Sequence, residues 1–519
     1  MIAMSIDWRI RSPSKRDFED LDETMHTLGF QARQMHVPHA RMQSTRDVGL
    51  SDICTRPPKE HDLSHRAILV IMSPAANPAQ HIIGYADPLV VSPSERLGVQ
   101  VSCHRPSYSS RLVRLGPGHD HPNAPPPSHQ AIESVAAAVH PGRPQFSRPG
   151  SFATVPWFVS SSPATADHML ALAISFWVQP NLPQHAGHDQ YFFSNLQSDG
   201  SAGFTSYIDK DGCLTLSVGG ERGSQTAQFP IALARHCWYH LTFTFDSASR
   251  VVSTLAKSQR SHVTASHIQE ESLTLDDTFV LASSQPLTIA SHSSSERVSS
   301  VPLDSTTFNG KIDDFRLERI TGADSTTLLH LDFSKDIPTD HIIDVYGGLR
   351  GSLFNCPARA VSGHDWDASE TAWNRASYGY GAIHFHDDDI DDASWETDFE
   401  LTIPSSLSSG CYGVVVNDGE SEDIIPFFVS PNMNQPLVNK VVFIVPTFTY
   451  AAYANDRMYD TTRDVHIDIP GSDAVHRSRH TNILEARPDL GISLYDSHND
   501  GSGTTHSSLK RVVLNMRPE

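Results

Sequence analysis

At 519 residues the chain is long enough for three or four domains, each able to bury its own core. Hydrophobic residues make up 39% and charged residues 19%, a globular rather than a disordered balance. A formal charge of −21 argues against a nucleic-acid or anionic-membrane surface, because phosphate binding needs a clustered excess of Lys and Arg.

Residues 1–80 lack sustained periodicity and read as an irregular extension. The opening MIAMSIDWRIRSPSKRDFED is charged within a few residues, unlike a secretory signal, and no stretch approaches the roughly 20 apolar residues of a bilayer span. Six cysteines stand far apart with no CxxC pair, so buried free thiols in a cytoplasmic protein are the expectation. From Ile82 the texture turns to strands: IIGYADPLVVSPSERLGVQVSC alternates apolar and polar positions on both sides of a turn, and YSSRLVRL (108–115) follows. The loop GPGHDHPNAPPPSH is too proline-dense for regular structure, and its His119-Asp120-His121 reads as solvated. Short β patterns separated by Gly, Ser and Asp turns then run from Phe152 to about Asp332 and suggest a sandwich. Strand texture returns over 357–430. Residues 441–445 (VVFIV) read as a fully buried strand of the parallel type, opening an α/β region.

Three pieces of the middle segment, ISFWVQP (174–180), HCWYHLTFTFD (236–246) and FNGKIDDFRLE (308–318), resemble successive strands of a laminin-G-like, concanavalin-type jelly roll. On that reading Trp177 and Trp238 fill an inter-sheet core. Asn309-Gly310 makes a tight turn, and Ile312, Phe315 and Leu317 point inward. Asp313 and Asp314 can ligate calcium, but adjacent carboxylates at a strand edge are more often solvated, and a structural or assembly role is expected for the sandwich.

The end of the chain carries the chemistry. The 441–445 run leads into PTFTYAAYAND (446–456), and SLYDSHNDGSG (493–503) follows some forty residues on. A buried strand leading into TY-x-AYAN and then Y-x-x-H-x-DGSG resembles the large (beta) subunit family of N,N-dimethylformamidase, and HPGRPQFSRPGSFATVP (140–156) looks like the same family. The resemblance implies a glutamine-amidotransferase-like α/β catalytic domain and a mononuclear ferric iron held by two tyrosinates and a glutamate. It also implies hydrolysis of small N-substituted formamides, a small-subunit partner and homo-oligomerisation. A hard ferric ion suits anionic oxygen ligands and can activate water against an inert amide. Carried over by motif, Tyr495 is one metal ligand, and Tyr453 or Tyr450 the other. If the stretch after Pro446 is helical the last two share a face, so spacing leaves both open. His498 and Asp500 either support the metal from behind or are turn residues of DGSG. The family's glutamate ligand and catalytic glutamate have no match here, since Arg517-Pro518-Glu519 lacks the histidine of the family's His-Pro-Glu segment. The chain is therefore expected to be a fragment, inactive alone.

His384 and His386 in GAIHFHDDDIDD are spaced to leave one face of a strand ahead of a carboxylate run, a possible divalent-metal arrangement or simply an edge strand entering an acidic loop. Cys411 has strand-like flanks and reads as a buried thiol. No P-loop, nucleophile elbow or dinucleotide fingerprint is present. The expected fold is mainly β. An Ig-like β module (81–150 and 357–432) surrounds a laminin-G/concanavalin-like sandwich (151–345), with the start of an α/β domain at 438–519. The competing functional reading is a non-catalytic carbohydrate-binding or assembly protein built on the sandwich.

Overall fold

The computed structural model describes residues 82–518 apart from 118–127, 158–170, 185, 260–266, 282, 293–297, 303–304, 433–440 and 458–478. The expected N-terminal extension and the His119-Asp120-His121 cluster lie outside the described residues. The architecture is mainly β, and no helix among the described residues is long and apolar enough to cross a membrane.

Two sheets frame the first module. Ile82–Asp87 pairs antiparallel with Arg96–Cys103, which also pairs with Phe399–Thr402 through Val99↔Phe399. Opposite them, Gly410–Asn417 lies between Ser107–Leu115 and Glu422–Val429, with Val414 beside Leu112 on one side and Ile425 on the other. Alternation turns Val99, Val101, Leu112, Val414, Val416 and Phe427 into one shared core. Segments separated by some 300 residues of sequence therefore build a single module around the sandwich.

The sandwich consists of two large sheets. One runs through Phe204–Ile208, Gln190–Ser194, Leu287–Ile289, Phe152–Val155 and Arg350–Phe354; the other runs through Val251–Ser258, Tyr239–Asp246, Ala171–Pro180, Gly310–Thr321 and Ala382–Phe385. The strands Arg350–Phe354, Ala358–Val361 and Ala382–Phe385 all join these sheets, beyond residue 345. Strand texture in a sequence does not say which sheet a strand will join.

Phenylalanines fill the space between the sheets. Phe176 packs against Phe192, Phe193, Phe243 and Phe315, and all five are fully buried. The expected tryptophan core is not found. On Ala171–Pro180 the inward positions are Ile174, Phe176 and Val178, so Trp177 faces outward and stacks on His364 with ring centroids 4.5 Å apart. Trp238 is likewise only half-buried. Ile312, Phe315 and Leu317 do point inward, but the odd spacing from 312 to 315 needs an irregularity. The pairing register shifts between Asp313 and Arg316, where Asp314 takes φ +48°. Asn309-Gly310 is not a hairpin turn. Gly310 begins the strand at φ +152°, and a Cβ there would lie 2.5 Å from the Gln179 carbonyl. Asp313 and Asp314 already have protein partners: His364 Nδ1 lies 2.8 Å from Asp313, while Arg316 and His330 engage Asp314.

The last segment departs most from expectation. Residues 441–445 form no strand, and Val441, Val442, Phe443 and Ile444 are exposed, Ile444 at 84%, rather than buried. A parallel strand needs a neighbouring strand to receive its hydrogen bonds, and among the described residues after 430 there is none to offer them. Among the described residues no α/β sheet forms there. The segment instead contributes a short helix at Thr447–Ala452, a second at Arg479–Ala486, and turns at Pro488–Leu490 and Leu514–Met516. Ile483, Leu484, Leu490, Val512 and Leu514 pack on Ile83, Tyr85, Ile390 and Trp395, forming a small core on the outside of the first module. Arg517 closes this junction by pairing with buried Asp423 at 2.8 Å and donating to the Gly84 carbonyl at 2.6 Å.

Candidate metal centre

Of the three candidate tyrosines the fold brings two together. The helix Thr447–Ala452 starts at Pro446, and the Tyr453 N–H closes its last turn on the Thr449 carbonyl at 3.0 Å. That places Tyr453 at the helix end, where its ring stacks on Tyr495 with centroids 4.3 Å apart and planes 25° from parallel. Interaction with Tyr495, through hydrogen bonding and the neighbouring phenol's charge, pushes Tyr453 above the usual tyrosine range. Both rings face outward, Tyr453 being 43% and Tyr495 64% exposed. Tyr450, one turn earlier, stacks instead on Phe428, with centroids 6.4 Å apart. Spacing alone left Tyr450 and Tyr453 equivalent; tertiary packing separates them.

Two buried side chains that motif reading passed over hold the tyrosine loops together. Asn455, fully buried at φ +61°, donates to the Leu490 and Val512 carbonyls at 3.0 and 2.8 Å and accepts from the Leu514 N–H at 2.9 Å. Asn is among the few residues that tolerate this left-handed conformation, which explains the last position of the AYAN segment. Arg511, 1% exposed, donates to the carbonyls of Ala454, Leu490 and Ile492 at 3.3, 2.9 and 2.7 Å, and burial pulls its pKa down to about 10. Ala454 follows one tyrosine and Ile492 precedes the other, so one guanidinium fork spans both loops. A direct bond, Leu494 N–H to the Ala452 carbonyl at 3.0 Å, completes the seam. The Asn in AYAN was a visible signal; Arg511 had none, since its role exists only once the chain has folded.

The hairpin 497–503 turns away from this pair. Ser497 and Gly503 bridge, and Gly501 takes φ +87°, so DGSG is a turn as its composition suggests. Its His498 and Asp500 are nonetheless buried, and their hydrogen bonds run to the sandwich rather than to either tyrosine. His498 Nδ1 lies 2.6 Å from Asp388 Oδ1, and Asp500 lies against Asn181, His384 and Ser502. His384 and His386 do share a face, with ring centroids 4.0 Å apart, and His386 stacks on His498 at 3.7 Å. Burial pushes His384 down to about 4, against the pull of Asp500. Burial would raise Asp500, but hydrogen bonds from His384 and Ser502 prevail and hold it well below the carboxylate range. In His498 the opposite balance holds: burial works against protonation, but Asp388, through its hydrogen bond and its charge, raises the imidazole above its ordinary value. Cys411 lies on a strand, half-buried, with burial raising its thiol.

Comparison with known proteins shows what the chain is similar to. Residues 358–519 match the family described as "N,N-dimethylformamidase beta subunit-like, C-terminal", and residues 159–321 match the "Concanavalin A-like lectin/glucanases superfamily". The chain is 31% identical over 469 residues to the N,N-dimethylformamidase beta subunit of Paracoccus aminophilus, and 27% identical over 468 residues to that of an Alcaligenes species. Each alignment covers 84% of this chain and 60% of the relative, so the chain spans about three-fifths of the relatives it matches. The resemblance read from the two tyrosine motifs is thus borne out across most of the chain. Among solved structures, the LG1-3 region of the laminin alpha2 chain is 9% identical, with 56% of this chain and 57% of that one covered and a TM-score of 0.23. A SAP-like pentraxin from Limulus polyphemus is 14% identical, with 42% and 78% covered and a TM-score of 0.21; scores this low carry no argument.

Proposed function

We propose, on its similarity to N,N-dimethylformamidase beta subunits, that this chain is the corresponding part of an amidase large subunit and that Tyr453 and Tyr495 are two protein donors to its iron. The observation that carries the assignment is the stacked Tyr453–Tyr495 pair, held by Asn455 and Arg511, with Tyr450 packed elsewhere. The pair fits the donor chemistry. Two adjacent phenols resist losing both protons because like charges repel, and a trivalent cation removes that obstacle while preferring anionic oxygen. When bound, ferric iron supplies Lewis acidity toward an amide carbonyl and acidity to a coordinated water. The chain's own contribution is to hold the two phenols side by side at an accessible surface. The substrate class is a small N-substituted formamide such as N,N-dimethylformamide, and a small subunit is the expected partner.

The test is spectroscopic. Ferric iron added to the purified chain should give the visible charge-transfer absorption of an iron tyrosinate. Tyr495→Phe and Tyr453→Phe should each weaken or abolish it, and Tyr450→Phe should leave it in place. A band that survives both Tyr453→Phe and Tyr495→Phe rules the pair out, and loss in Tyr450→Phe alone moves the second ligand to that residue.

A further inference from the structure

The junction between the sandwich and the C-terminal hairpin contains a second donor set, formed by His386, Asp389 and His498. Their ligating atoms all lie within 4.8 Å of one another, and all three residues are buried, His498 being 2% exposed. His386 Nδ1 is 3.1 Å from Asp389 Oδ2, and Asp389 Oδ1 is 3.8 Å from His498 Nε2. A gap of 3.8 Å is too long for a hydrogen bond, yet it matches two metal–ligand bonds of about 2.1 Å meeting at an obtuse angle.

Hydrogen accounting leaves one of these groups without a partner. His498 Nδ1 faces Asp388 Oδ1 at 2.6 Å, a geometry in which the ring donates from Nδ1 and leaves Nε2 as a lone pair. That Nε2 is buried and has no hydrogen-bond partner among the described residues. The Asp389 carboxylate faces it at 3.8 Å, beyond hydrogen-bond length. His386 is the second nitrogen donor. Ser502 Oγ lies 2.6 Å from Asp500 Oδ1 and gives it its hydrogen, so the hydroxyl accepts from His386 Nε2 at 3.1 Å. That leaves His386 Nδ1 facing the Asp389 carboxylate at 3.1 Å, whose Oδ2 also accepts from Ser151 Oγ at 2.7 Å. Two imidazole nitrogens and a carboxylate converge, and the buried His498 Nε2 among them lacks a hydrogen-bond partner.

Asp388 behind His498 is the arrangement that fixes the tautomer of metal-bound histidine and raises its basicity. A cavity of about 10 Å³ adjoins the cluster, lined by Asp388, Asp389, His498, Thr504 and His506. That is room for about one water-sized sphere, so it admits an ion or its water and nothing larger.

We propose that His386 Nδ1, Asp389 and His498 Nε2 bind a divalent transition-metal ion of the zinc class, with Asp388 orienting His498 and the cavity supplying the remaining coordination position. Two imidazoles and one carboxylate suit zinc better than calcium or magnesium, which favour all-oxygen shells. His386 and Asp389 belong to the loop after the sandwich strand Ala382–Phe385, and His498 lies three residues beyond Tyr495. The ion therefore cross-links the sandwich to the hairpin that follows Tyr495. The site uses none of the tyrosines and does not depend on the iron assignment.

Equilibrium dialysis of chelator-stripped full chain against zinc, with metal analysis after gel filtration, tests this directly. One zinc per chain is expected. Asp388→Asn should weaken binding by about 10–100-fold and His498→Gln should abolish it, with circular dichroism confirming that each variant folds. The Tyr453→Phe/Tyr495→Phe double variant should keep its zinc, which separates this site from the iron reading. Cobalt substitution of the unmutated chain gives a readout that needs no variant, since nitrogen and oxygen ligation in a low-coordinate site produces visible d–d bands. Absence of retained zinc in the folded chain, or equal retention by the wild type and His498→Gln, overturns the proposal.

Discussion

Replacing Asn455 by alanine should loosen the seam between the tyrosine loops by an amount the structure allows to be worked out. The Val512 carbonyl and the Leu514 N–H, at residues that are 0% exposed, each lose the Asn455 partner, at a cost of roughly 1–3 kcal/mol apiece. The Leu490 carbonyl keeps its bond to Arg511 at 2.9 Å and adds little. Alanine must also adopt φ +61°, which costs about 1 kcal/mol more. The total is about 3–7 kcal/mol, directed at the segment around residues 512–514. Hydrogen exchange followed by mass spectrometry on peptides covering Leu514 should show protection falling at least about a hundredfold. Asn455→Gly lacks the same hydrogen bonds but tolerates the conformation, so its exchange should be roughly fivefold slower than that of the alanine variant. Unchanged protection of Leu514 in Asn455→Ala would refute the view that this side chain is the clasp.

Two further outcomes follow from the sandwich. Phe176→Ala, at the centre of the five-phenylalanine core, should destabilise by about 3–5 kcal/mol, whereas Trp177→Ala one residue on should lose the ring contacts with His364 and His240, about 1–3 kcal/mol; thermal or urea unfolding of the two variants compares them. His364 is raised above its ordinary value: burial opposes protonation, but the Asp313 hydrogen bond and charge outweigh it. The stabilisation from this pair is therefore complete below the unfolded value near 6.5 and is lost as pH rises through the folded value. Asp313→Asn should lower the imidazole titration seen by NMR, and its stability deficit should shrink as pH rises above about 6.5.

Alternation and turn composition were enough to read a mainly β chain with a central sandwich, and three strand-like pieces carried its resemblance to laminin-G domains. The two tyrosine motifs were enough to find the resemblance to N,N-dimethylformamidase beta subunits, because these signals are local and survive in a linear string. Local signals also placed Ile312, Phe315 and Leu317 inward, although the register shift at Asp313–Arg316 that makes this possible is visible only in the sheet. What the string could not carry was partnership. The run 441–445 has the composition of a buried strand, but burial depends on a neighbouring strand that the described residues do not provide. Trp177 looked like core because it is large, yet strand parity turned it outward and gave the interior to Phe176. Tyr450 and Tyr453 are equivalent by helical spacing, and only contacts from distant Phe428 and Tyr495 distinguish them. His386, Asp389 and His498 meet across more than a hundred residues of chain; the sequence offered His386 beside His384 as a possible metal pair and His498 as a support of the iron, but nothing in it joined the two segments. Sequence determined the types of element and the motifs. Tertiary structure decided which side chains face one another, because a long-range contact is a property of two segments and is encoded in neither alone.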